Sequence, residues 1–148
     1  MSQPLTQIVI FGASGDLTAR KLVPALVNNA AEGAFPGPVQ VVGIARSSIP
    51  TGAWRTNLAQ WLDPAQLEQW ERFQHRVHYL CADVLKDQDV APMLERLDEL
   101  CVEAGGDPET TGRLFYLALK PSLFAPVVGQ LGKAGAIACW RGRSCSQG

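Results

Sequence analysis

Four times along the chain a short, nearly unbroken apolar run gives way to a stretch whose apolar residues recur at helical spacing, and this alternation constrains the fold more than any other feature. The runs are Gln7 to Phe11, Val39 to Ala45, Val77 to Ala82 and Arg113 to Leu119. Short apolar runs without polar alternation suit strands covered on both faces, as in a parallel sheet. Strands alternating with helices imply right-handed crossovers and a doubly wound, Rossmann-type α/β sheet of about four parallel strands. The first strand should be central, with the loop after it at the point where the winding reverses.

The intervening segments carry their own boundary signals. Leu22, Ala25, Leu26 and Ala30 predict a helix in which Pro24, lacking an N–H, marks an early turn or kink. Trp54, Leu58, Trp61 and Leu62 form an amphipathic stripe. Asp63-Pro64-Ala65-Gln66 combines a capping residue, a proline at the first helical position and a glutamine three residues after the cap, so a new helix should start there and turn Leu67 and Trp70 inward. The plainest helix carries Val90, Met93, Leu94, Leu97, Leu100, Cys101 and Ala104 and stops at Gly105-Gly106. A last helix carries Leu123, Phe124, Val127, Val128 and Leu131.

At 148 residues the chain is long enough for about one domain. With 47% hydrophobic residues, 18% charged residues and a net charge of -1, it has neither the basic excess that nucleic acid or acidic lipid would attract nor the composition of a disordered chain. No apolar run reaches the roughly 18 residues of a membrane helix. The opening Met1-Ser2-Gln3-Pro4 lacks the layout of a secretion signal, so a cytoplasmic location is expected. The four cysteines, Cys81, Cys101, Cys139 and Cys145, show no paired spacing and read as free thiols. His75 and His78 read as surface or strand-edge residues, and no metal site is expected.

The chemistry concentrates after the first two strands. Gly12-Ala13-Ser14-Gly15-Asp16-Leu17 sits between strand and helix, where side-chain-free glycines let a pyrophosphate approach backbone N–H groups and the helix dipole adds positive potential. Two glycines three apart are less than the full dinucleotide fingerprint, and a plain tight turn is the alternative. At the end of the second strand, Arg46-Ser47 stand where a site for NAD would place a carboxylate for the ribose 2'-hydroxyl. A guanidinium and a hydroxyl suit a 2'-phosphate instead, which favours NADP over NAD; the alternative is a solvated arginine after a strand.

Beyond these spacings, Ile8 to Leu17 followed by Arg20-Lys21-Leu22-Val23-Pro24-Ala25-Leu26 closely resembles the opening of glucose-6-phosphate dehydrogenases. Val42 to Ser47, Tyr79 to Val84 and Arg113 to Leu119 agree with that family in order and spacing, so the resemblance covers roughly residues 5 to 135. It implies that Gly12, Ala13, Ser14, Gly15, Asp16 and Leu17 wrap the pyrophosphate of NADP and that Arg46, aided by Ser47, binds the 2'-phosphate. It further implies that Asp83, Val84, Tyr116, Leu117 and Ala118 border the cofactor, and that Lys21 could approach bound phosphates.

The chain also departs from the family. Lys120 precedes Pro121 where the family has a second proline, and the further strand and Glu-Lys-Pro-Phe-Gly segment expected after Gly135 do not occur. Residues 1–135 therefore read as a partial NADP-binding domain, and 136–148 as an irregular tail, either the product of a frameshift or truncation or a short native ending. The family oxidises glucose 6-phosphate at C1 with NADP as hydride acceptor in the pentose phosphate pathway, using a histidine from a part with no counterpart here. No catalytic residue is assigned, and the fragment is expected to be inactive alone. A stand-alone nucleotide-binding or interaction module is the alternative. A short-chain reductase would need a Tyr-x-x-x-Lys pair on a helix, which no predicted helix carries. Oligomeric state stays open.

Overall fold

In the computed structural model, which describes residues 4–15, 18–31, 33 and 37–136, the chain forms one four-stranded parallel sheet with helices on both faces. The strands are β1 (Thr6–Phe11), β2 (Val39–Ala45), β3 (Val77–Cys81) and β4 (Gly112–Leu117), in spatial order β3-β2-β1-β4. Strand β1 pairs in parallel with β2 from Thr6 opposite Val39 and with β4 from Thr6 opposite Gly112. The chain therefore moves outward from β1 in one direction, returns, and continues on the other side. The winding reverses beside β1, as the alternation predicts.

Strand alternation divides the core in two. Ile8, Ile10, Val39 and Val41 pack with α1 (Val23–Ala31), α2 (Thr51–Ala59) and α3 (Pro64–Phe73). Val9, Phe11, Val42 and Ile44 face α4 (Asp87–Glu103) and α5 (Phe124–Lys133). Two polar side chains interrupt the second layer: Gln7 donates to Gln40 Oε1 at 2.7 Å and to the Leu97 carbonyl at 2.9 Å, and Gln40 donates to the Leu100 carbonyl at 3.0 Å. Arg113, itself paired with Asp98 at 2.8 Å, donates to Gln7 Oε1 at 2.6 Å. Buried polar atoms with partners are tolerated, and these fix α4 across three strands.

The local signals act as their physics requires. Pro24 is preceded by a π-helical turn over Thr18–Leu22, where the wider winding accommodates the missing N–H. Asp63 and Gln66 form a reciprocal capping box. Gly105, at φ 86°, closes α4, with its N–H donating to Val102 at 2.9 Å and the Gly106 N–H to Cys101 at 2.9 Å.

Several inward assignments need correction. In α1, Val23 and Val27 are the buried positions, while Ala25 faces solvent. Leu67 is 37% exposed because α3 meets the core through Trp70 and Phe73. Trp61 sits at the α2–α3 corner, 41% exposed, with the Arg20 guanidinium 4.4 Å above its ring. Phe124 and Val128 lie outside the Val127–Leu131 stripe that seats α5. The third and fourth strands stop one and two residues before their expected ends, at Cys81 and Leu117. Cys81 and Cys101 are free thiols, and Cys139 and Cys145 lie outside the described residues with the rest of 137–148.

Candidate cofactor site

The ends of β1, β2 and β3 open together onto a cleft of about 290 Å³. Phe11, Gly12 and Ser14 supply one wall, Ile44 to Ser47 the next, and Ala82 to Leu85 the third. Leu119, Leu123 and Val127 complete it from the connection after β4 and from α5. This is the crevice outside the carboxyl ends of the strands, beside the switch point, where the topology predicts a ligand.

The glycine turn is built by a close approach. Gly12 adopts φ 84°, and a Cβ there would run into the carbonyl oxygen of Ala118. An L side chain is excluded twice, by conformation and by space. The Gly12 and Ala13 N–H groups both donate to the Ile44 carbonyl, at 2.9 and 3.2 Å, which lashes the turn to the end of β2. Gly15 N–H donates to the Gly12 carbonyl at 3.1 Å, and the Thr18 hydroxyl reaches the same oxygen at 3.4 Å. Among the described residues the Ser14 N–H has no protein partner, and Ser14 lines the cleft. The calls on Asp16 and Leu17 lie outside the described residues.

Arg46 and Ser47 leave β2 on the rim of the same cleft, both exposed. Among the described residues Arg46 forms no ion pair. The turn behind them is tethered: the Tyr79 hydroxyl donates to the Ser47 carbonyl at 2.6 Å and the Cys81 thiol to the Arg46 carbonyl at 3.2 Å. Burial pushes the Tyr79 hydroxyl above its ordinary pKa, so it remains a donor at neutral pH.

Asp83 and Val84 line the third wall, with Asp83 shaping its own turn: its carboxylate accepts from the Leu85 N–H at 3.0 Å, and its N–H donates to Asp89 at 2.9 Å. Gln130 ties α5 to this turn by donating to the Val84 carbonyl at 3.2 Å and to Asp87 at 2.8 Å. That bond, with Lys133 nearby, holds the Asp87 carboxyl below its ordinary pKa.

The remaining expectations fall elsewhere. Tyr116, Leu117 and Ala118 are not among the cleft-lining residues: Tyr116 is 42% exposed on the outer strand, Leu117 packs with the α4–α5 layer, and Ala118 contributes its carbonyl beside Gly12. Leu119 occupies the lining position that β4 offers. Lys21 is exposed on the π-helical turn and does not line the cleft. Tyr116 and Lys120 are four apart but stand on β4 and just past it, not on a helix. His75 lies in the 3-10 turn before β3 and His78 near the start of that strand, at the opposite end of the sheet from the cleft. Among the described residues no three metal-ligating side chains converge, and no helix is long and apolar enough to cross a membrane. Sequence reasoning missed Leu119, Leu123 and Val127 as lining, since an apolar strand run marks the first and helical spacing the other two as core without saying which end of the sheet they cover.

Comparison with known proteins agrees with this fold. Residues 9–144 match the family described as "Glucose-6-phosphate dehydrogenase, NAD binding domain". The chain is 34% identical over 135 residues to glucose-6-phosphate 1-dehydrogenase of Mycolicibacterium smegmatis, covering 87% of this chain and 26% of that protein. It is 36% identical over 131 residues to the Schizosaccharomyces pombe enzyme of that name, covering 85% and 25%. A solved glucose-6-phosphate dehydrogenase in complex with glucose 6-phosphate superimposes with a TM-score of 0.74 at 29% identity, over 89% of this chain and 28% of the other. The chain thus spans about a quarter of the length of these relatives. The chain therefore belongs to the glucose-6-phosphate dehydrogenase NAD-binding-domain family.

Proposed function

We propose that the chain binds NADP across this cleft, with the turn from Gly12 taking the pyrophosphate and Arg46 and Ser47 taking the 2'-phosphate. The observation that carries the reading is the convergence of Gly12, Ser14, Arg46 and Ser47 on one cleft, with no carboxylate between Ala45 and Ser48 to favour an unphosphorylated ribose. Asp83 and Val84 would border the adenosine. At about 290 Å³ the cleft lies at the low end of small-molecule sites, about 300 to 1,000 Å³, which suits the adenosine and phosphate end more than a whole dinucleotide.

In the family's reaction, oxidation of glucose 6-phosphate to the lactone in the pentose phosphate pathway, this portion would hold the hydride acceptor. When bound, NADP supplies that acceptor through its nicotinamide. The chain's own residues would orient it: Gly12 admits the phosphates, the Ser14 N–H meets their charge, and Arg46 selects the 2'-phosphate. No histidine is among the residues lining the cleft, so no general base is assigned and the chain alone is expected to be inactive. A cytoplasmic location belongs to the same reading.

Calorimetric titration of the 148-residue chain with NADP and NAD tests it. NADP should bind more tightly, and Arg46→Ala should lower its affinity about 10- to 100-fold by removing charge-assisted bonds, leaving NAD unchanged. Equal binding of both dinucleotides, or indifference to the substitution, would contradict the assignment.

A further inference from the structure

Two aromatic residues stand behind the cleft without lining it. Trp54, on α2, is 2% exposed, and Tyr79, on β3, is 5% exposed; their rings lie 5.3 Å apart and tilted by 48°. Each gives its one polar hydrogen to a carbonyl of a different cleft-forming turn. The Trp54 indole N–H donates to Ala13 at 3.1 Å, and the Tyr79 hydroxyl donates to Ser47 at 2.6 Å. The Thr51 hydroxyl, 3.3 Å from the Tyr79 N–H, fixes the start of α2 against β3.

Gly43 makes the arrangement possible. A Cβ at that position would lie 2.5 Å from the Trp54 ring and 2.6 Å from the Ala13 side chain. Glycine in the middle of a strand costs stability and side-chain packing, and here it opens the space through which the indole reaches the glycine turn.

The consequence follows from the planarity of the peptide bond. In a trans peptide the carbonyl of one residue and the N–H of the next point in opposite directions, and there are no cis peptides among the described residues. An indole that draws the Ala13 carbonyl towards the core turns the Ser14 N–H away from it. A phenol that draws the Ser47 carbonyl inward likewise turns the Ser48 N–H outward. The first amide belongs to the turn assigned to the pyrophosphate, and the second to the turn assigned to the 2'-phosphate.

We propose that Trp54 and Tyr79 are a positioning pair that aims these amides at the two phosphate groups and holds both turns at one spacing, Trp54 serving any dinucleotide and Tyr79 serving the 2'-phosphate alone. The inference rests on the NADP reading above and extends it to which residues set the discrimination between the two dinucleotides.

Tyr79→Phe keeps the ring and removes the donor, Trp54→Phe puts a smaller aromatic ring without the N–H in place of the indole, and calorimetry with NADP and NAD on the full chain reads the result. Trp54→Phe should weaken both dinucleotides alike, about 5-fold, the effect of one hydrogen bond. Tyr79→Phe should weaken NADP by a similar factor and leave NAD unchanged, a split that mere loosening of the core would not produce. Amide shifts of the unsubstituted chain give a readout independent of variant folding: NADP should move the Ser14 and Ser48 amides, and NAD the Ser14 amide alone. If NADP is preferred but both variants bind as the parent does, or both lose the two dinucleotides in equal proportion, or the Ser48 amide moves with neither ligand, the pair is overturned by itself. A folded chain that binds neither dinucleotide overturns the cofactor reading and the pair with it.

Discussion

Gly12 carries more of the site than any other single position, and its requirement follows from two independent facts: a φ of 84° and a neighbouring carbonyl oxygen that leaves no space for a Cβ. Gly12→Ala should destabilise the fold by about 2 kcal/mol through backbone conformation alone, and more through the clash with Ala118. Urea denaturation measures the combined destabilisation, and titration of the remaining folded protein should show weakened NADP binding. That Gly12 makes a special turn after β1 and that Arg46 leaves β2 was legible in the sequence, because a glycine and a cation directly after buried strands are local signals. Trp54, Tyr79 and Gly43 were not, since their roles depend on where α2 lands on the sheet. Gln7 and Gln40 look like interruptions in apolar strands; only the register that sets Gln7 beside Gln40 shows that they satisfy each other.

At the scale of elements, the order of strands and helices was legible, helped by boundaries written in caps, prolines and glycines such as Asp63, Pro64 and Gly105. Faces were less legible. Leu67, Phe124 and Val128 fit an apolar stripe but lie outward, because ten-residue helices seat only Trp70 and Phe73 or Val127 and Leu131 in the core, and Trp61 lies in the turn past the end of α2. The strand ends were overextended for a similar reason: apolar residues continue past β3 and β4 to wall the cleft, as Ala82 and Leu119 do, after the hydrogen-bonded ladder has stopped.

Strand β3 also gives the fold a pH response. Burial, reinforced by the charge of Arg55, lowers the pKa of His78; Arg96 and His75 act in the same direction and Glu103 against them. The folded state therefore binds fewer protons than the unfolded state, whose histidine titrates near 6.5. The contribution of His78 is present above that value and is lost as the pH falls through it. Between about pH 7 and pH 5 the melting temperature should drop, and His78→Gln should flatten the decline, as read by calorimetric melts at several pH values.

Across the whole molecule the sheet is unevenly covered. The inner strands are buried, whereas β4 pairs on one side only among the described residues and leaves Leu114 58% and Tyr116 42% exposed. An open, apolar parallel edge is a template for association. Sedimentation velocity should show self-association growing with concentration, and Leu114→Lys should suppress it without altering NADP affinity, because Leu114 is remote from the cleft-lining residues. The sheet's winding and switch point were nonetheless predicted from alternation alone.

The central claim, that the strand ends around the switch point form one NADP site, is tested most directly by hydrogen–deuterium exchange of the full chain with and without NADP. Protection should rise together in the segments holding Gly12 to Gly15, Arg46 to Ser48 and Asp83 to Leu85, while the exposed face of β4 exchanges as before. Protection confined to β4 and α5, or unchanged exchange in a folded sample at saturating NADP, would contradict it.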